Sequence, residues 1–237
     1  MNEQKPTFKE AMQASMIWCK SWENDEISDE VISDRIGELI KTVEGARGFF
    51  VVSLSIDCPL MDRFPDALIF QLRSSGEIVV DLTVKNLAMS SAMIITHRNN
   101  KDPQEIQSER IKTRCIELLK LLDSTQVKKR LDVLLEATKG NGTDFEFLKK
   151  WGYNDEQINA ISESISLNWS NRDGQNKVIA LIPIIGKPSG PVIQEMGTTN
   201  ETTLSISIEK KMAVGHREQI PAHSADLYIP AGSYRRS

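Results

Sequence analysis

The chain has 237 residues, 40% of them hydrophobic and 26% charged, with a formal net charge of −4. That length admits one large domain or a domain with an appendage, and the mixture is that of a globular rather than a disordered chain. The weakly acidic balance gives no global field favouring nucleic acid, and the three widely spaced cysteines, Cys19, Cys58 and Cys115, suggest neither a disulfide framework nor a paired-cysteine metal site.

The cysteines are expected to be reduced, small apolar residues. Met1 to Lys5 are polar, and no later apolar run reaches the ~18 residues needed to span a bilayer. The longest candidate, residues 178–185, contains Pro183. A soluble, cytoplasmic protein without a membrane partner is expected.

Thr7 and Glu10 have the spacing of a capping box, in which each side chain satisfies a free backbone N–H of the other's turn. Behind them Phe8, Met12, Ser15, Met16, Cys19 and Trp22 recur at three and four residues, predicting one amphipathic helix. An acidic connector, residues 23–26, leads to Ser28 as a second N-cap, with Ile27 and Ile32 placed for a hydrophobic staple. Ile32, Ile36, Leu39, Ile40 and Val43 make the next stripe, and Gly45 is the expected stop.

Residues 48–84 fit two templates. Phe49-Phe50-Val51-Val52 and Ile78-Val79-Val80 suit strands, and Ser74-Ser75-Gly76 could close a hairpin. Pro65-Asp66, however, fits a helix start. Residues 77–98 contain no internal Gly or Pro, and Val80, Val84, Leu87, Ser91 and Ile94 step along one helical face, so helix is favoured there. Residues 49–55 stay open between strand and helix.

Asp102-Pro103-Gln104-Glu105 combines an N-cap, a first-turn proline and a capping-box glutamate, with Ile111, Cys115, Leu118, Leu119 and Leu122 following at core spacing. Ser124 restarts a helix carrying Val127, Leu131, Leu134 and Leu135, which Gly140-Asn141-Gly142 ends. Thr143 with Glu146, and Asn154 with Gln157, start two more, the latter with Ile158, Ile161 and Ile165 on its inner face. The joint through Trp151-Gly152-Tyr153 is similar to the first loop of ubiquitin-associated three-helix modules, but no third helix follows, so a helical corner is expected.

Past residue 168 the character changes. Asn171-Arg172-Asp173-Gly174 reads as a turn-rich linker, and residues 178–182 and 204–208 look like strands. Ile220-Pro221-Ala222-His223-Ser224 nearly repeats as Ile229-Pro230-Ala231-Gly232-Ser233, which suggests an extended tail.

Catalytic signals are thin. No Gly-rich phosphate loop, Gly-x-Ser-x-Gly elbow or His-Glu-x-x-His occurs, and Pro188 removes the physical basis for a phosphate loop at Gly186-Lys187-Pro188-Ser189-Gly190. Arg110, Lys112, Arg114, Lys128, Lys129 and Arg130 are basic but interleaved with acids, the pattern of a solvated face of mixed sign. Without aromatic interleaving, nucleic acid is not the expected partner. His97-Arg98-Asn99-Asn100 is the most site-like cluster, although basic residues also suit the negative end of a helix dipole and Asn a left-handed exit. Asn86 beside Lys85 is either a buried polar group needing partners or half of a solvated pair. Leu87 to Met93, rich in small residues and methionine, fits core packing better than a cofactor pocket.

Gly-Ala-Arg-Gly-Phe-Phe-Val-Val within residues 45–55, and Val-Lys-Asn-Leu-Ala-Met-Ser-Ser-Ala-Met with Thr-His-Arg-Asn-Asn within 84–100, are similar to a conserved cyanobacterial protein family without an assigned activity. The resemblance spans about residues 45–165, implies a cytoplasmic bacterial setting and carries over no catalytic residue.

The sequence therefore predicts a mainly α protein: a multi-helix bundle body, residues 7–167, and a C-terminal tail, residues 168–237, of short β-strands or extended segments. The expected function is a non-enzymatic scaffold or regulatory protein, whose tail engages a protein partner or a second copy of the chain. The alternative is a helical small-molecule-binding protein or enzyme with a pocket lined by Asn86, Met89, Met93, His97 and Arg98. No cofactor, metal or catalytic residue is implied.

Overall fold

The computed structural model describes residues 5–179, with side-chain surroundings through residue 167. Among the described residues the chain forms α1 (Phe8–Glu23), α2 (Asp29–Leu39), α3 (Val43–Ser55), α4 (Asp66–Ser74), α5 (Glu77–Asn100), α6 (Glu105–Leu121), α7 (Ser124–Thr138), α8 (Phe145–Trp151) and α9 (Asp155–Ile179), with a 3-10 turn at Pro59–Met61. No strand occurs among them. The body is mainly α. The strand expected at 204–208 and the Ile-Pro-Ala repeats lie outside the described residues.

The capping signals at Thr7, Ser28 and Asn154 form as their spacing implies. Glu10 Oε2 accepts the Thr7 N–H at 2.8 Å, Ser28 Oγ accepts the Val31 N–H, and Asn154 and Gln157 exchange two bonds of 2.9 Å. α7 begins at Ser124 as expected, with Asp123 capping it by accepting the Gln126 N–H. Two other starts shift: Asp144 rather than Thr143 stands at the start of α8, and α6 begins at Glu105 behind Gln104, so Pro103 precedes the helix and Asp102, instead of capping it, accepts the Gln104 N–H at 2.9 Å. The stripe of α1 also turns slightly, so that Ala11, Ser15, Cys19 and Trp22 are innermost.

Gly45 stops nothing. α2 ends at Leu39, and Thr42 caps a new helix, its hydroxyl accepting the Gly45 N–H at 3.0 Å. In that first turn a Cβ on residue 45 would lie 1.9 Å from the Leu39 carbonyl oxygen, which is why glycine occurs there. The open run 49–55 is the buried end of this helix. Strand propensity yields because α1 crosses α3 at Gly48, where an added Cβ would fall 2.5 Å from the Ala11 Cβ. Ser74-Ser75-Gly76 is a joint between two helices rather than a hairpin, with Gly76 at φ +52°.

α5 is the hub. It packs on α3, α6, α7 and α9, and fifteen of its 24 residues are buried, so it lacks the polar face of a surface helix. An 18-residue window of α5 has mean hydropathy 1.5, long and apolar enough to cross a membrane by length and composition, which corrects the expectation that no such run exists. Neighbouring helices bury 78% of that window inside the protein, as they do a core helix. One continuous apolar cluster, from Ala11 to Ile165, takes residues from all nine described helices.

The linker expected at residues 171–174 is not a break: α9 runs through it to Ile179, and the expected strand at 178–182 thus begins in helix. Asn and Gly cost a helix only about 1 kcal/mol each or less, and no proline intervenes.

Candidate functional site

α5 and α7 pack against each other near their first turns, joined along the chain by α6. Gly76 lies against Gln126, whose Oε1 would be 3.7 Å from a Cβ at residue 76, and one turn on Asp81 faces Arg130. Arg130 Nε donates to Asp81 Oδ1 at 2.7 Å, and Arg130 Nη2 forms an ion pair with Asp144 Oδ2 at 2.6 Å. Lys85, one turn along α5, donates to the second Asp81 oxygen at 3.0 Å. The side chains of Asp81, Arg130 and Asp144 are only 15%, 15% and 14% exposed, and that of Lys85 9%. The Lys85 ammonium also lies 5.9 Å from the centre of the Phe147 ring on α8. An alternating chain Asp144–Arg130–Asp81–Lys85 therefore ties α5, α7 and α8 together. Burial works against the Arg130 charge, but Asp81 and Asp144 outweigh it and hold the guanidinium above its ordinary range.

A cleft of about 440 Å³ opens onto this chain between the first turns of α5 and α7. Its walls carry Ile78, Val80 and Val133 as apolar surface and Asp81 with Arg130 as the polar floor. Glu77 on α5 and Lys129 on α7, both exposed, stand as opposite charges on its two walls, with Thr125 and Gln126 beside them. The volume and the mixture of apolar wall with a few convergent polar groups are those of a small-molecule site. A second hollow, bordered by Trp18, Arg35, Lys41 and Thr42, is a surface feature whose charges pair locally: Arg35 lies 5.8 Å from the centre of the Trp18 ring and Lys41 bonds Glu38 at 2.6 Å.

The five residues expected from sequence to line a pocket are spread along α5. Asn86 and Met89 are buried and Met93 half-buried, and neither hollow includes any of the five. Asn86 is inside rather than solvated, as is Lys85. Its Nδ2 donates to the Leu82 carbonyl at 2.8 Å, and its Oδ1 receives no hydrogen bond from the described residues. His97 is buried, with Nδ1 2.9 Å from Asp102 Oδ2, while Arg98 is exposed and bonds Glu105 at 2.8 Å. Asn99 reaches Glu156 at 3.0 Å. This cluster joins the end of α5 to the starts of α6 and α9, and Lys101, not an asparagine, takes the left-handed exit at φ +54°.

The basic positions counted as one solvated face divide. Arg114 is 2% exposed and holds the end of α3. Its Nη1 lies 3.0, 3.0 and 2.8 Å from the carbonyl oxygens of Ser53, Leu54 and Ile56. Its Nη2 bonds the Cys58 carbonyl at 3.0 Å, and Asp62 takes Nε and Nη2 at 2.8 and 2.6 Å. Helix C-termini leave carbonyls without intrahelical partners, and a guanidinium from α6 supplies them here. Arg130, counted with the same solvated face, is mostly buried, and its partners Asp81 and Asp144 carry no such pattern in sequence. The four-residue step from Asp81 to Lys85 was a visible signal, whereas the pairing across 49 residues to Arg130 was not.

Among the described residues no group of three His, Cys, Asp or Glu side chains is placed to hold a metal ion. The family model described as Uncharacterised conserved protein UCP020893 matches residues 7–167, and the chain belongs to that family. No curated protein and no solved structure matches it.

Proposed function

We propose that this member of the UCP020893 family is a small-molecule-binding protein whose cleft between α5 and α7 takes a compact zwitterion with a short apolar group. The observation that carries this reading is the opposition of Glu77 and Lys129 across an apolar-walled cleft whose floor is a fixed, buried ion chain. Glu77 meets an ammonium, Lys129 a carboxylate, and Ile78, Val80 and Val133 the apolar part. Asp81 is taken by Arg130 Nε and Lys85, so the floor shapes the site and offers no free carboxylate, while Arg130 Nη1 is a buried donor that no described residue accepts from. The reading is therefore binding rather than turnover.

The interaction-protein reading draws on residues 168–237, most of which lie outside the described residues. Ile17, Val31, Phe70, Ile106, Phe145 and Leu167 are exposed, but each is on a different helix, which is an ordinary surface scatter. A melting-temperature panel tests the proposal: leucine and valine as free amino acids should raise the midpoint in a saturable way, by the amount mass action gives. Their N-acetylated and amidated derivatives, each lacking one charge, should not. No shift with any free apolar amino acid would overturn it.

A further inference from the structure

Cys19 on α1 and Cys58, in the segment between α3 and the 3-10 turn, are 39 residues apart in sequence and side by side in space. Cys58 Sγ donates to the Cys19 carbonyl at 3.7 Å, which sets the two cysteines against each other. Both residues are buried, at 1% and 2% exposure. Neighbouring contacts hold the segment on α1: the Arg63 guanidinium lies 5.3 Å from the centre of the Trp22 ring, and Arg114 bonds the Cys58 carbonyl. Cys115 is likewise buried, and burial pushes its thiol up.

We propose that Cys19 and Cys58 are a thiol pair that small disulfides convert to a reversible cross-link between α1 and the segment after α3. The attacking sulfur is Cys58: the neighbouring Cys19 thiol, the Leu60 N–H and the Arg114 charge favour its thiolate against the cost of burial and the opposing charge of Glu23. Its thiolate attacks one sulfur of a glutathione disulfide and expels one glutathione thiolate. Cys19, losing its proton, then displaces the second glutathione from the mixed disulfide and closes the protein S–S bond. Two protein thiols are oxidised by two electrons, the small disulfide is reduced to two thiols, and the two protons end on them. Cys58 lies outside regular helix, so local opening of its segment admits the oxidant.

The full-length reduced protein, incubated natively with oxidised glutathione, is unfolded, alkylated with N-ethylmaleimide and weighed. The expected product carries a single adduct, on Cys115, and peptide mapping joins Cys19 to Cys58. Dithiothreitol should restore all three thiols, and Cys115→Ser should cross-link as fast as the wild type. Three adducts after oxidation, a stable glutathione adduct on Cys58, or a cross-link that includes Cys115 would each overturn the proposal. The wild-type map decides even where a cysteine variant fails to fold.

Discussion

At the end of α3 one arginine does most of what a capping motif does for other helices, with Gln107 and Arg110 donating to the remaining Ser55 carbonyl. Arg114 meets four main-chain carbonyls and one carboxylate from a position that is 2% exposed, so its removal strands buried acceptors and a carboxylate together. Arg114→Met should lower stability by about 3–5 kcal/mol in urea unfolding, the usual cost of breaking a buried ionic network. Arg114→Lys should recover less than half of that loss, because an ammonium cannot reproduce the planar fork. Asp62 shows the same pairing through pH. Its hydrogen bond from Arg114 holds its carboxyl below the ordinary value of 3.8 against a smaller opposing effect of burial. A folded-state value below the unfolded one gives stability that is present above the unfolded value and lost as pH falls through the folded one. The stability advantage of wild type over Asp62→Asn should therefore be constant near neutrality and shrink below about pH 4. Asp62 is 51% exposed, so the advantage is modest, and a gap unchanged down to pH 2 would remove Asp62 from the clamp.

At the scale of the element, much of the helical plan could be read because its signals are local. A capping box, a first-turn proline or a three-and-four stripe needs only neighbours in sequence, and Thr7, Ser28, Asn154 and the stripe of α6 behave as their spacing implies. The misreadings fall where a distant helix decides. Gly45 looks like a breaker, yet it is where α3 meets the Leu39 carbonyl, and Gly48 is where α3 meets α1. Residues 49–55 are buried on every side because partners surround them, which erases the period that separates strand from helix. Gly48→Ala makes the point testable. The helix propensity of Ala favours the change by about 1 kcal/mol, but the contact with Ala11 forces α1 away, and overpacking costs about 1–3 kcal/mol. A net loss of stability is expected, and a more stable variant would show that α1 and α3 do not cross there. The ion chain joining α5, α7 and α8 has a graded counterpart. Asp81→Asn leaves two cations short of a carboxylate and should cost about 3–5 kcal/mol, whereas Asp144→Asn affects Arg130 alone and should cost less.

For the molecule as a whole, the fold could be read further from sequence than the site. Asn86, Met89, Met93, His97 and Arg98 were singled out because they are polar or adaptable residues in an apolar helix, and the structure divides them among core packing, a helix joint and the surface. The cleft instead opens at the other end of α5, where its first turns meet those of α7. Glu77 and Lys129 had no sequence signal, because each is one exposed charge among many until the fold sets them across a cleft. The most direct test is a calorimetric titration of free L-leucine into the full chain, its Thr125→Trp variant and its Lys129→Glu variant. Both substitutions fall at exposed positions on the cleft wall, so the fold should survive them, with unchanged far-ultraviolet circular dichroism as the control. The expected result is saturable one-site binding to the wild type that weakens at least tenfold, about 1.4 kcal/mol, in each variant. Equal binding by all three proteins, or no binding heat with the wild type, would contradict the placement of the site between α5 and α7.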